Sequence, residues 1–263
     1  MNSGFDAAGF LNALPATVGS VAAVLAVTYL ASRRTGRHCV IDTAWGLMFC
    51  AIALAAFAAS ADRGDTARRW LILAMTLLWG LRLAVHVTRR NRGKGEDPRY
   101  TALLAGHGRW FPLLAVYLSQ GALAFLISMP IQVAVFQRGA LTPLAWAGVA
   151  LWLPGMLFET VGDAQLARFK ADPDRGGVLD TGLWRYTRHP NYFGDACVWA
   201  GIFLVAAGHW PGPLTVASLA VMVYLLAFGS GKAVLERAMA ERPGYRDYTR
   251  RTSGFVPLPP RRN

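Results

Sequence analysis

From residue 7 to residue 32 the sequence carries no charged side chain, and 43–61, 110–137, 139–158 and 196–231 are equally bare. One more stretch, 70–88, is interrupted only by Arg82 and His86. About 20 mostly apolar residues suffice to cross a hydrocarbon core of about 30 Å as a helix. The run 196–231 is too long for one crossing, and Trp210-Pro211-Gly212-Pro213 divides it with a turn and an interfacial aromatic. The expected fold class is therefore all-α: a polytopic membrane protein, one membrane domain over 1–263, of about seven transmembrane helices. They are expected near 7–32, 43–61, 70–88, 110–137, 139–160, 192–210 and 214–231.

Composition agrees with that class and removes others. Hydrophobic residues make up 54% and charged residues 16%, against about 45–50% and about 25% in soluble domains. A disordered chain or an ordinary soluble enzyme is excluded. The net charge of +12 does not indicate a nucleic-acid binder, because the cations sit between apolar blocks instead of along one patch. Cys39, Cys50 and Cys197 are irregularly spaced, which suggests neither a disulfide framework nor a metal site. No basic residue precedes the first apolar block, so that block is expected to remain as a helix and not to be a cleaved signal.

The cations also suggest an orientation. Arg33, Arg34 and Arg37 follow the first block; Arg89, Arg90, Arg92, Lys94, Arg99 and Arg109 follow the third. Arg168, Lys170, Arg175, Arg185 and Arg188 follow the fifth, and eight more basic residues lie beyond 231. Even loops hold fewer, Arg63, Arg68 and Arg69 in one and Arg138 in the next. By the positive-inside bias the N-terminus is outside and the C-terminus cytoplasmic.

Two regions then carry chemistry, the segment 159–195 and the tail 232–263. Glu159, Asp163 and Lys170 share a helix face at the end of the fifth span, an arrangement that also suits a solvated helix end. Arg185, Arg188, His189, Asn191, Tyr192 and Asp195 crowd eleven positions directly before an apolar span, with Pro190 placed to start its helix. Arginine offers a planar donor fork for phosphate oxygens, and a helix start adds free N–H groups. Lipid phosphates would also attract the cations, but they do not require a mixture of Arg, Asn, Tyr and Asp. Elsewhere Asp42 stands at the mouth of the second span, as an acid or as a cap beside Arg37. Arg82 and His86 lie one turn apart on the third, facing a cavity or snorkelling to the interface.

The string from Leu183 to Asp195, L-W-R-Y-T-R-H-P-N-Y-F-G-D, resembles the C-terminal signature of the steroid 5-alpha-reductase and sterol-reductase superfamily. Asp42, Trp45, Gly46, Trp79, Arg82, Leu83, His86, Glu96, Asp97, Arg99 and Tyr100 are similar to a bacterial branch of it. So are Asp163, Gln165, Phe169, Lys170 and the tail from Arg242 to Pro257. The resemblance implies a membrane enzyme of the bacterial cytoplasmic membrane, acting as a monomer. It would use NADPH to reduce a C=C bond in a hydrophobic, steroid-like or isoprenoid enone drawn from the lipid bilayer. Asp163 and Asn191 would meet the nicotinamide or ribose; Lys170, Arg185 and Arg188 the phosphates. Tyr192, Asp195, Tyr245 and Tyr248 would close the pocket, with His189 among them. Asp42, Arg82 and His86 stand where the animal steroid reductases carry a catalytic Glu and Tyr. The alternative is an S-adenosylmethionine-dependent methyltransferase of the isoprenylcysteine carboxyl type. Those enzymes share an Arg-His-Pro-x-Tyr-x-Gly start, but place paired glutamates before their tail tyrosines where this chain has a single Glu236. A transporter would want polar groups nearer the midplane.

Overall fold

The computed structural model describes residues 4–108, 110–229 and 231–261; Met1 to Ser3 and the cations Arg109 and Arg262 lie outside them. Among the described residues the fold is all-helical, without strands, and two isolated bridges join Phe5 to Gln137 and Thr187 to Ser253. The helices are α1 (Ala7–Thr35), α2 (Val40–Ala59), α3 (Thr66–Asn91), α4 (Pro98–Leu104), α5 (Ser119–Ile127) and α6 (Met129–Ala134). They continue with α7 (Pro143–Ala171), α8 (Pro190–Ala207), α9 (Val216–Ala227), α10 (Lys232–Met239) and α11 (Tyr245–Arg251). Five stretches are long and apolar enough to cross a membrane: α1, α2, α3, α7 and Gly212–Met239. The architecture is that of a polytopic membrane protein.

Several boundaries differ from the sequence expectation, each for a local reason. The stretch 110–137 is not one helix. It holds a π-helical turn, Leu113–Leu118, then α5, then a break at Ser128 before α6. Ser128 turns its hydroxyl back onto the Phe125 carbonyl at 2.7 Å, and Pro130, in the first turn of α6, has no N–H to continue the ladder. Helix α3 starts at Thr66, not 70, because Asp65 caps it by accepting from the Arg68 N–H at 2.9 Å. Arg68 and Arg69, counted above as loop cations, are thus buried helical residues. Helix α7 runs on to Ala171, past the expected end at 160, and carries Asp163 and Lys170 on one rod.

The backbone divides into two compact units: Met1–Trp146 with Ile202–Ser218, and Ala147–Gly201 with Leu219–Asn263. In the first, α1 buries Gly9, Ala13, Thr17, Val21, Thr28 and Ser32 and leaves Leu11, Val18, Val27 and Leu30 exposed. Small residues inward and large apolar ones outward is the pattern of a helix whose outer surface is lipid. Helices α2 and α3 meet through Gly46 and Gly80, where a Cβ on Gly80 would lie 2.7 Å from the Gly46 carbonyl oxygen. Their core is Ile41, Met48, Phe49, Ile52, Ile72 and Trp79.

The second unit is organised by an antiparallel crossing of α7 and α8. A Cβ on Gly201 would stand 2.6 Å from the Gly148 carbonyl oxygen, and one on Gly194 2.5 Å from both the Gly155 oxygen and the Glu159 nitrogen. Gly162 faces Pro190 and the Asn191 nitrogen. Gly148, Gly155 and Gly162 recur every seven residues, as do Gly194 and Gly201, so each set forms one helix stripe. With no side chains between them the two backbones touch, and the polar residues flanking the stripes are drawn together.

Candidate functional site

Those flanking residues are Glu159 and Asp163 on α7 and Asn191 and Asp195 on α8, each pair one turn apart. The three carboxylates are buried, at 3%, 6% and 8% exposure. Asn191 donates from Nδ2 to Asp163 Oδ1 at 3.1 Å. Such a donor set is rich in acceptors and suits hydroxyl and amide hydrogens, or a cationic group, better than it suits phosphate.

The loop after α7 folds back on the same helix. Gly182, at φ +60°, sits so close to the Gln165 amide that no Cβ fits between them, and Gln165 Oε1 accepts from the Leu183 N–H at 3.0 Å. Trp184 donates from Nε1 to the Gly162 carbonyl at 3.1 Å. The C-terminal segment then straps across this loop. Arg188 N–H donates to Ser253 O at 2.9 Å, Thr187 Oγ1 to Phe255 O at 2.8 Å, and Leu258 N–H to Tyr186 O at 3.0 Å. Between loop and strap lies a cavity of about 640 Å³ lined by Asp180, Thr181, Gly182, Arg185, Arg251, Thr252, Pro259, Pro260 and Arg261. Arg185 therefore lines open space.

Other expected residues are placed differently. Arg188 is spent on the fold: Nε and NH2 each reach Glu236 Oε1 at 2.9 Å, and NH1 reaches the Thr249 and Thr252 carbonyls at 3.2 and 2.6 Å. His189 lies 3.2 Å from Glu236 Oε1 through Nε2 and stacks on Tyr192. Tyr248 is buried and donates to the Trp184 carbonyl at 2.6 Å, with Tyr245 packed against it. Both phenols are pushed above the usual tyrosine range, first by burial. These residues fasten loop to tail. Lys170 is exposed in the last turn of α7. The residue that sequence reasoning missed is Glu236, which holds Arg188, His189 and, at 3.4 Å, Lys232.

Burial holds the His189 imidazole below the ordinary histidine value, against the upward pull of Glu236. With an unfolded value of about 6.5, the unfolded chain binds the proton more tightly. The contribution of this residue to stability is then complete above about pH 6.5 and is lost as pH falls toward the folded value. Thermal unfolding between pH 8 and 5 is expected to show a flatter pH slope in His189→Gln than in the native protein; identical slopes would refute it.

Within the first unit, Asp42 accepts from Tyr100 Oη at 2.6 Å and from Arg99 NH2 at 3.1 Å, with Arg90 at 3.9 Å. Glu96 takes the N–H groups of His38, Cys39 and Asp97. Burial raises its pKa, but these three backbone bonds outweigh it and hold the carboxyl below the usual range. The Tyr100 hydroxyl is raised, by burial and then by Asp42, so it keeps its proton. Asp42 is thus the acceptor of a phenol–carboxylate pair whose donor is Tyr100, a partner that lies 58 positions away in sequence. Arg82 and His86 are half-buried, one turn apart on α3. Trp79 is fully buried against Phe49, which also contacts Trp45, so it packs the core.

The chain is 25% identical over 247 residues to the uncharacterized protein C594.04c of Schizosaccharomyces pombe, a match covering 82% of this chain and 72% of that protein. A family model described as "Protein of unknown function (DUF1295)" matches residues 28–252, from within α1 to the end of α11, and the chain belongs to that family.

Proposed function

We propose that this protein is an NADPH-dependent membrane reductase of the steroid 5-alpha-reductase type, acting on the C=C bond of a hydrophobic steroid-like or isoprenoid enone. The observation that carries the reading is the pairing, within one unit, of a buried acceptor cluster with an arginine-lined cavity. Glu159, Asp163, Asn191 and Asp195 fit ribose hydroxyls and a carboxamide, and Arg185 with its neighbours fits phosphates. These residues suit the cofactor. Bound NADPH would supply the hydride; the protein binds and orients it. Tyr100, held by Asp42, is one proton-bearing group of the first unit, whose third span carries Arg82 and His86 as further polar residues. The cytoplasmic placement of the basic loops, in a bacterial inner membrane, would give a soluble dinucleotide access.

A second reading has its own support. Three buried carboxylates suit a cationic ligand, and the sulfonium of S-adenosylmethionine is one. That ligand carries no phosphate and offers the three arginines of the cavity a single carboxylate. Ligand titration against thermal stability in detergent separates the two. NADPH at 100 times its dissociation constant is expected to add about 2.7 kcal/mol, with less from NADH at equal concentration. Asn191→Ala should weaken NADPH roughly ten- to a hundredfold by removing a hydrogen bond to buried charge. Stabilisation by S-adenosylmethionine alone would overturn the reductase reading.

A further inference from the structure

We propose that the cavity between residues 180–185 and the strap 251–261 is a site for a phosphate monoester carried on a larger molecule. The inference rests on the dinucleotide reading for its preferred source and on the cavity itself for its chemistry. Three arginines, Arg185, Arg251 and Arg261, and one carboxylate, Asp180, line it; three positive charges less one negative leave +2. A phosphate monoester carries about −1.5 to −2 near neutral pH, whereas a phosphodiester carries a single negative charge and would leave a cation unmatched. Asp180 is already paired with Arg251, and no ion pair engages Arg185 or Arg261 among the described residues. The hydroxyls of Thr181 and Thr252 add short donors, and Gly182 presents backbone without a side chain.

The volume shows that phosphate is only part of the ligand. About 640 Å³ falls within the range of about 300–1,000 Å³ typical of sites for whole small molecules. Pro259 and Pro260 form a rigid apolar wall suited to the remainder. That wall is fixed at both ends, by Leu258 N–H on Tyr186 O and by Arg261 N–H on Arg251 O at 2.9 Å. Arg261 is therefore carried into the site by an ordered backbone. A monoester on a sizeable body describes the 2′-phosphate of adenosine in NADPH, and equally the headgroup of phosphatidic acid.

The experiment uses the full chain in detergent or nanodiscs and four probes: adenosine 2′-monophosphate, adenosine, and bilayers containing phosphatidic acid or phosphatidylglycerol. Adenosine 2′-monophosphate is expected to bind and adenosine not. Arg185→Gln and Arg261→Gln are each expected to weaken it roughly ten- to a hundredfold, as for a lost charge-assisted bond. Arg250→Gln, an exposed cation paired with Asp247 outside the cavity, should change nothing. Binding of phosphatidic acid, with the same arginine dependence and in preference to phosphatidylglycerol, would assign the site to a lipid headgroup. Binding of neither monoester, or binding indifferent to Arg185 and Arg261, overturns the proposal. NADPH affinity unchanged in both arginine variants would remove this site and leave the dinucleotide reading standing. Adenosine 2′-monophosphate binding without NADPH binding would do the reverse.

Discussion

Arg68→Ala is expected to lower the stability of the solubilised protein by about 3–5 kcal/mol, the loss of two or more bonds to a charged group at about 1.5–3 kcal/mol each. Arg68 is fully buried. Its NH1 reaches the carbonyls of Gln137 and Gly139 at 3.4 and 2.8 Å, and NH2 reaches the Ala140 carbonyl and His209 Nδ1, both at 2.9 Å. One guanidinium thus joins the start of α3, the connection after α6 and the turn after α8, all in the first unit. Truncation takes their donor from the Gly139 and Ala140 carbonyls and the His209 ring nitrogen, while Gln137 O keeps the Asp65 N–H at 2.8 Å. Lysine keeps the charge but has no planar fork, so Arg68→Lys should fall between native and alanine. Arg69 is the comparison: it bonds Ser60 Oγ and Phe57 O and lies over the Phe57 ring, within one helix hairpin. Its loss should cost less. Thermal and denaturant unfolding of the three variants tests this, and a cost below about 1 kcal/mol for Arg68→Ala would show the latch to be dispensable.

Arg68 also shows what the sequence conceals. Long uncharged runs are a direct physical signal, since no loop needs them, and the all-helical membrane architecture follows from them without knowledge of contacts. A cation just outside such a run looks like a loop residue. Only Asp65, three positions ahead as a cap, marks it as helical, and nothing local announces the carbonyls of residues 137–140 that it serves. The break at Ser128 was half legible: Pro130 marks the place where the run can bend, but hydropathy does not register where a side-chain hydroxyl competes for the backbone. The glycines at 148, 155, 162, 194 and 201 were a readable signal: spaced by seven on adjacent spans, they point to a close helix crossing, and that crossing gathers Glu159, Asp163, Asn191 and Asp195.

The cluster of Arg188, His189 and the tail tyrosines was legible as a group but not in its division of labour. Which arginine faces the cavity and which is consumed by the fold depends on where the tail returns, and that is a long-range contact. Arg185 and Arg188 are three positions apart and chemically identical. The 3₁₀ turn Gly182–Arg185 leaves the first at the cavity, while the second reaches Glu236, 48 positions on.

That contact makes Glu236 the second large prediction. Its neighbourhood in sequence is unremarkable: Lys232 four residues earlier looks like an ordinary i,i+4 surface pair, worth about 0.3–0.5 kcal/mol. Among the described residues it is the one anion bonding both Arg188, whose side chain is 13% exposed, and His189, at 5%. Glu236→Ala is therefore expected to cost about 3–5 kcal/mol, because it leaves a largely buried guanidinium without its counter-charge. Glu236→Gln keeps an acceptor and should cost less. The Arg188→Met, Glu236→Leu double variant should recover about 0.5–3 kcal/mol relative to the sum of the single losses, since both partners of one pair are then gone. Hydrogen exchange provides the local reading. The amide of Arg188, which donates to Ser253 O, should exchange faster in Glu236→Ala as the strap loosens, with core amides of the first unit less affected. Additive energies in the cycle, or unchanged protection at Arg188, would mean that the tail is held without Glu236, by the backbone bonds of Arg188 and Leu258 and the side-chain bonds of Thr187, Arg188 and Tyr248.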